Sequence, residues 1–88
     1  LEERPYIVGF AAETDGLIVN AEKKLKNKGL DLIVANDVSN EEIGFDSDEN
    51  EVTLITKTEQ QLIPKQNKKQ ISKKIVEFIS RSINEQNN

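Results

Sequence analysis

Residues 6–16 read Tyr6-Ile7-Val8-Gly9-Phe10-Ala11-Ala12-Glu13-Thr14-Asp15-Gly16. The first five form an apolar run typical of a strand, and the small and polar residues after them suit a turn and the start of a helix. The stretch therefore predicts a buried strand over 6–10 that ends in a loop.

Outward from this stretch, the chain predicts a helix and a second strand. Apolar residues recur at helical spacing over 17–28, and Gly29 stands where a left-handed C-terminal cap is expected. Residues 31–35 form another continuous apolar run, which is typical of a strand covered on both faces. Strand, helix and strand in this order predict a right-handed βαβ unit with parallel strands.

The second half of the chain predicts a hairpin and a long helix. Residues 38–51 are polar and aperiodic and predict a loop. The arms 52–56 and 61–63 predict a hairpin whose second arm is an edge strand, because Pro64 cannot donate to a ladder. Residues 68–84 predict an amphipathic helix. Its predicted apolar stripe contains Ile71, Ile75, Val76, Phe78, Ile79 and Ile83. The fold class predicted from these elements is α/β.

Composition excludes several classes of function. The 88 residues allow one small domain, and because they contain no methionine and open at Leu1, we expect a piece of a longer protein. Without cysteine or histidine there is no thiolate nucleophile, no disulfide and no imidazole base. A net charge of -4 with interspersed signs argues against nucleic acid as a partner. The short apolar runs predict no membrane span and no signal peptide, so we expect a cytoplasmic location.

The predicted ligand edge lies where the two parallel strands end. Small residues around Phe10 would let a ligand approach the backbone, and its ring could cover a base or a ribose. Asn36 and Asp37 end the second strand and should lie on the same edge. Small residues also permit tight packing of helix on sheet, and the residues alone leave both interpretations open.

Two lysines of the first helix, Lys24 and Lys28, flank its apolar stripe. A flexible ammonium there suits a phosphate, although both stems can also extend along apolar surface towards solvent. In a plain βαβ unit the end of the helix lies near the opposite sheet edge from Phe10. The lysines and the ring would then share a ligand only if it is long or if a second subunit contributes.

Two charged segments have simpler explanations than binding sites. Residues 46–50 begin like a calcium loop, but Glu51 and Lys57 stand where that motif needs glycine and glutamate. A solvated acidic loop is the better interpretation, and no metal site is predicted. The lysine-rich segment 65–74 is better explained as an exposed, salt-bridged helix face, with Lys73, Glu77 and Arg81 at four-residue spacing.

Four motifs together resemble a known family. They are Gly9-Phe10-Ala11-Ala12-Glu13-Thr14, Lys24-Leu25-Lys26-Asn27-Lys28-Gly29-Leu30-Asp31, Val34-Ala35-Asn36-Asp37-Val38 and Gly44-Phe45-Asp46-Ser47-Asp48-Glu49-Asn50-Glu51-Val52. In this order the chain resembles phosphopantothenoylcysteine synthetase, the phosphopantothenate-cysteine ligase that often forms the C-terminal half of a bifunctional coenzyme A biosynthesis flavoprotein. The resemblance covers nearly the whole chain.

The resemblance implies a Rossmann-like fragment of a ligase. Such a ligase uses CTP and Mg²⁺ to convert 4'-phosphopantothenate into an acyl cytidylate, which the amine of cysteine then attacks. It implies that Phe10, Lys24 and Lys28 contact the CTP, with Ala11, Ala12, Asn36 and Asp37 as possible edges of the site. It also implies a homodimer, with the hairpin edge as the expected contact. FMN would belong only to a fused upstream decarboxylase domain, if one is present.

The family's catalytic lysine motif, its asparagine for the acyl cytidylate and its glycine-rich first turn all lie upstream of Leu1. We therefore expect no catalytic residue in this chain and no ligase activity from it alone. The alternative interpretation is a noncatalytic α/β dimerisation or interaction module.

Overall fold

The fold was analysed in a computed structural model that describes residues 5–38 and 49–86. Its elements are β1 (Val8–Glu13), α1 (Leu17–Asn27), β2 (Leu32–Asp37), β3 (Glu49–Ile55), β4 (Gln60–Asn67) and α2 (Lys68–Gln86). The predicted α/β class, with a βαβ unit, a hairpin and a C-terminal helix, is confirmed.

The four strands form one mixed sheet in the order β1-β2-β3-β4. β1 and β2 are parallel, with Phe10 beside Val34, whereas β3 is antiparallel to both of its neighbours. β4 therefore runs in the same direction as β1 and β2. The carboxyl ends of these three strands lie at one edge of the sheet, and α2 begins at that edge.

Two hydrophobic clusters cover the two faces of the sheet. Successive residues of β2 point to opposite faces, so Val34 and Ala35 belong to different clusters. The first cluster lies between the sheet and α2. Its buried residues are Leu32, Val34, Val52, Leu54, Ile63, Ile71 and Phe78. The second cluster lies between the sheet and α1. Its buried residues are Ala21, Leu25, Leu30, Ile33, Ala35 and Ile55. β2 is thus covered on both faces, as its continuous apolar run predicts.

The predicted ends of the parallel strands were wrong. β1 continues beyond Phe10 to Glu13, and β2 continues to Asp37, so Ala11, Ala12 and Glu13 lie in a strand and not in a loop. The cause lies in the tertiary structure. β1 and β2 pair with each other as far as Glu13 and Asp37, and this pairing keeps both strands extended beyond their apolar runs.

The hairpin is longer than predicted in both arms. β3 begins at Glu49, and β4 continues past Pro64 to Asn67, so the predicted stop at residue 63 was wrong. Val52 pairs with Ile63 while Asn50 pairs with Gln66, so β4 carries an extra residue at this point. Such a bulge accommodates proline inside a strand. β4 lies at the end of the strand order, which confirms the predicted edge.

The ends of α1 are set by two glycines with positive φ. Gly29 has φ +63° and follows the last turn, as predicted. At the other end, Gly16 has φ +56°, and no side chain of the described residues caps the helix. The first N–H groups of α1 lie near the carboxyl end of β1, and no described side chain accepts a hydrogen bond from them.

α2 packs through a narrower stripe than predicted. Ile71 and Phe78 are buried, but Val76 is 61% exposed, so its assignment to the buried stripe was wrong. At 100° per residue Val76 lies at the margin of the stripe, where the sheet no longer covers it. Arg81 pairs with Glu59 and Glu85, not with Glu77 as its spacing suggested. No helix in residues 5–38 and 49–86 is both long and apolar enough to cross a membrane.

Candidate functional site

A cavity of about 380 Å³ opens at the carboxyl ends of β1 and β2, on the sheet face that α2 covers. The residues that line it are Phe10, Ala11, Ala12, Val34, Asn36, Asn50, Val52, Lys68, Ile71, Ser72 and Ile75. The floor is apolar, and none of these residues is acidic. The cavity therefore suits a ligand that combines an apolar ring with neutral polar or anionic groups.

Phe10 is the most exposed large apolar residue in the described part of the chain, at 73%. Its register partner is Val34, and the next pair on the same face is Ala12 and Asn36. The methyl group of Ala12 leaves the space beside the ring open. A ring held at the mouth of a cavity on a paired strand is a surface on which a planar group can stack.

Gly9 serves packing and not the cavity. A Cβ built on it would lie 2.6 Å from Leu30 Cδ1, which is too close for an undisturbed contact. Leu30 belongs to the cluster under α1, on the opposite face of the sheet. The packing interpretation of the small residues therefore holds for Gly9. Ala12 lines the cavity, whereas Ala11 borders the cavity and also packs against the cluster under α1.

The polar residues of the cavity come from three elements. The buried Oδ1 of Asn36 accepts no hydrogen bond from any residue that the structure describes. Asn50 Oδ1 accepts a hydrogen bond of 3.0 Å from the Glu51 N–H. The other two, Lys68 and Ser72, come from the start of α2. The sequence pattern predicts an exposed helix face for Lys68 and does not identify Ser72. The signal was available, since a hairpin after β2 returns β4 to the direction of β2 and places the next helix at this edge.

An ion pair lies on the other face of the sheet. Lys24 Nζ is 2.6 Å from Glu13 Oε2, so the ammonium of α1 reaches the last residue of β1. Asn20 Nδ2 donates to Glu13 Oε1 at 3.3 Å and to the Asp15 carbonyl oxygen at 3.0 Å. These bonds tie the turn between β1 and α1 to the second turn of the helix.

The hydrogen bond from Lys24 lowers the pKa of Glu13 below its ordinary value. Partial burial opposes this shift, and the positive charge of Lys24 and the Asn20 amide add to it. Glu13 is therefore ionised at neutral pH, and the pair is a charged one.

The structure brings some of the predicted site residues together and separates others. Phe10, Ala11, Ala12 and Asn36 line one cavity. Lys24 lies on the α1 face, and Lys28 is exposed where α1 ends, so neither shares the cavity with Phe10. Asp37 alternates to the face opposite Asn36. The alternation of side chains along a strand is the physical reason for this division.

The described residues contain no group of three acidic residues that could hold a metal ion. Most of the segment that begins like a calcium loop, residues 46–48, lies outside the described residues.

A family model matches nearly the whole chain. Residues 1–83 match the DNA/pantothenate metabolism flavoprotein C-terminal domain. The chain is 45% identical over 78 residues to the coenzyme A biosynthesis bifunctional protein CoaBC of Vibrio vulnificus (strain YJ016), a match that covers 89% of this chain and 20% of that protein. It is 38% identical over 86 residues to the protein of the same name in Escherichia coli (strain K12), covering 98% and 21%.

A solved structure shows the same architecture. The crystal structure of the C-terminal domain of a coenzyme A biosynthesis bifunctional protein CoaBC matches with a TM-score of 0.76 and 30% identity. The match covers 97% of this chain and 38% of that one. The chain spans about one fifth of the length of the two curated relatives, 20% and 21%.

Proposed function

The chain belongs to the DNA/pantothenate metabolism flavoprotein C-terminal domain family, and we propose that it is the nucleotide-binding end of a CTP-dependent ligase. In this proposal the longer parent joins 4'-phosphopantothenate to cysteine in coenzyme A biosynthesis. The relatives' names support the pathway. The four motifs that resemble phosphopantothenoylcysteine synthetase support the reaction.

The observation that carries the proposal is the exposed ring of Phe10 over a cavity at the carboxyl ends of parallel strands, where the described lining residues include no acidic one. Open α/β sheets bind ligands at this edge. An aromatic ring can stack on a nucleobase, and Asn36 offers amide groups to its polar edge. We assign the base of CTP to this cavity.

The phosphates would extend from the cavity across the carboxyl end of β1 towards α1. That helix begins at the same edge, where no described side chain caps it, and helix N-termini favour anions. Lys24 reaches this edge through its bond to Glu13. Lys28 lies one turn beyond Lys24, about 6 Å farther from the edge. We propose that Lys28 acts across the homodimer interface expected of the parent.

The chemistry itself would be completed outside this chain. The carboxylate of 4'-phosphopantothenate attacks the α-phosphorus of CTP and releases pyrophosphate, and the cysteine amine then attacks the acyl cytidylate and releases CMP. Mg²⁺ enters on the triphosphate, whose oxygens are its preferred ligands. The residues of this chain supply the ring that stacks on the cytosine base and the lysines that contact the phosphates. We therefore expect no pyrophosphate release from the 88-residue chain and release from the parent.

The proposal is tested by titrating the full-length parent with CTP and Mg²⁺ in a calorimeter. Loss of one stacking ring should weaken binding about 5- to 150-fold in Phe10→Ala. Loss of a charged hydrogen bond should weaken it roughly tenfold or more in Lys24→Ala. Lys28→Ala should also bind CTP more weakly.

The matched control is Lys26→Ala, which removes an exposed lysine from the same helix. Its affinity should stay within about twofold of the parent's, as expected for a surface substitution. CTP binding that is unchanged in Phe10→Ala would contradict the assignment of the base. A parent that does not bind CTP would favour the noncatalytic interaction module instead.

A further inference from the structure

Glu13 is a shielded carboxylate at the end of β1. Glu13 is 9% exposed, and both of its carboxylate oxygens accept hydrogen bonds from side chains of α1. A buried charge is tolerated only when it is paired and hydrogen-bonded. Glu13 therefore keeps its charge in place, and the charge acts on Lys24 at 2.6 Å.

The bond to Glu13 fixes the end of a flexible side chain. Lysine carries its ammonium on a four-carbon stem, and ordering that stem costs rotamer entropy. In this chain the bond to Glu13 orders the stem without a contribution from a ligand. The ammonium has three N–H donors, of which the described residues use one, and the Lys24 side chain remains 43% exposed. Within the described part of the chain, two donors are thus left for a ligand.

The location of the ammonium matches the expected path of the phosphates. Glu13 ends β1, and Asn20 joins Glu13 to the Asp15 carbonyl in the turn before α1. The Lys24 ammonium consequently lies beside that turn and not along the outer surface of the helix.

We propose that Glu13 is a positioning residue whose carboxylate holds the Lys24 ammonium at the carboxyl end of β1, ready to bind the nucleotide phosphates. The inference rests on the proposed function, which assigns Lys24 to those phosphates. Its energetic basis is that an ordered donor binds more tightly than one that must be ordered during binding.

A competing role for Glu13 predicts the opposite sign. A carboxylate near a triphosphate repels it, so if Glu13 only withheld Lys24 from the ligand, removing its charge would tighten binding. Under the positioning role, removing the Glu13 charge weakens CTP binding, even though the repulsion between that carboxylate and the triphosphate is also removed. The direction of the change therefore separates the two roles.

The experiment measures the affinity of the full-length parent for CTP with Mg²⁺ in a double-mutant cycle. The variants are Glu13→Gln, Lys24→Ala and the double variant that carries both changes. We expect about fivefold weaker binding for Glu13→Gln and roughly tenfold weaker binding for Lys24→Ala. The double variant should bind no more weakly than Lys24→Ala, because Glu13 acts through that lysine.

Glu22→Gln is the matched control for charge. It removes an exposed carboxylate from α1 that accepts a hydrogen bond from Gln60. Its CTP affinity should stay within about twofold of the parent's. Glu13→Asp is the second variant, which keeps the charge on a shorter side chain, and it should bind CTP as weakly as Glu13→Gln. Far-UV circular dichroism of each variant verifies its fold.

The outcomes are distinguishable. Unchanged or tighter CTP binding by Glu13→Gln, with Lys24→Ala weakened, overturns the positioning role and leaves the proposed function intact. Additive losses in the double variant also overturn it, since Glu13 would then act independently of Lys24. Unchanged binding by Lys24→Ala contradicts the assignment of Lys24 to the phosphates, on which both proposals depend.

Discussion

Asn36 combines a structural cost with a place in the candidate site. Its buried Oδ1 accepts no hydrogen bond within residues 5–38 and 49–86. Asn36→Leu replaces the unsatisfied amide by an apolar group of similar size. We expect the free energy of unfolding of the chain to rise by about 1 kcal/mol, because an uncompensated acceptor is removed. Urea denaturation measures this change, and calorimetry on the parent should show weaker CTP binding.

Ser72→Ala serves as the control for Asn36→Leu. Ser72 lines the same cavity but is exposed, so its removal should change the free energy of unfolding by less than about 0.5 kcal/mol. A destabilised Asn36→Leu would show that the amide is satisfied in solution and carries no energetic cost.

Glu13 also makes stability depend on pH. Its folded-state pKa is lowered, so its contribution is fully present above the unfolded pKa, about 4.3, and is lost as pH falls through the folded value. We expect the wild-type chain to lose more unfolding free energy between about pH 6 and pH 3 than Glu13→Gln does. Urea denaturation at both pH values tests this. Equal losses in the two proteins would be incompatible with a stabilising ion pair.

At the scale of elements, α2 depends on its first turn. Asn67 Oδ1 accepts a hydrogen bond of 2.8 Å from the Gln70 N–H and so caps the helix. Asn67→Ala should lower the free energy of unfolding by about 1 kcal/mol, whereas Asn67→Asp keeps the acceptor and should not. Lys68 follows the cap and is unfavourable near a helix N-terminus, which makes the cap more important.

Thermal and urea unfolding of the two Asn67 variants would measure the effect of the cap. Because the first turn of α2 is one wall of the cavity, loss of the cap should also loosen that wall. Equal stability of Asn67→Ala and the wild type would indicate that solvent satisfies the freed N–H group equally well.

At the scale of the whole molecule, the sheet of the described residues ends at β1, although parallel strands are normally covered and paired. Under the proposed function, the longer parent adds a neighbour along this edge. Hydrogen exchange of outward-facing β1 amides should then be about tenfold slower or more in the parent than in the 88-residue chain. Amides of the central β2 serve as the control, since they are paired on both sides in either protein.

Equal exchange at β1 in the two proteins would mean that no neighbour pairs with this edge. The same experiment tests the expected homodimer contact, because slower exchange in β4 of the parent is the result that a shared hairpin edge requires.

Most of the architecture could be predicted from local patterns. The continuous apolar run before Asn36 predicted a strand covered on both faces, and the structure confirms it with one cluster on each side. Gly29 predicted the left-handed end of α1. Strand ends were predicted less well, because β1 reaches Glu13 only by pairing with a strand more than twenty residues away in the chain.

The order and type of the elements were determined by the sequence alone, because apolar periodicity, glycine and proline act on their near neighbours. Only the tertiary structure decided how the candidate site is divided, with Phe10 and Asn36 on one face and Lys24 on the other. Side chains alternate along a strand, and which face each helix covers depends on how distant segments pack. The bond between Glu13 and Lys24 has the same origin, since packing α1 against the sheet brings the two charges together.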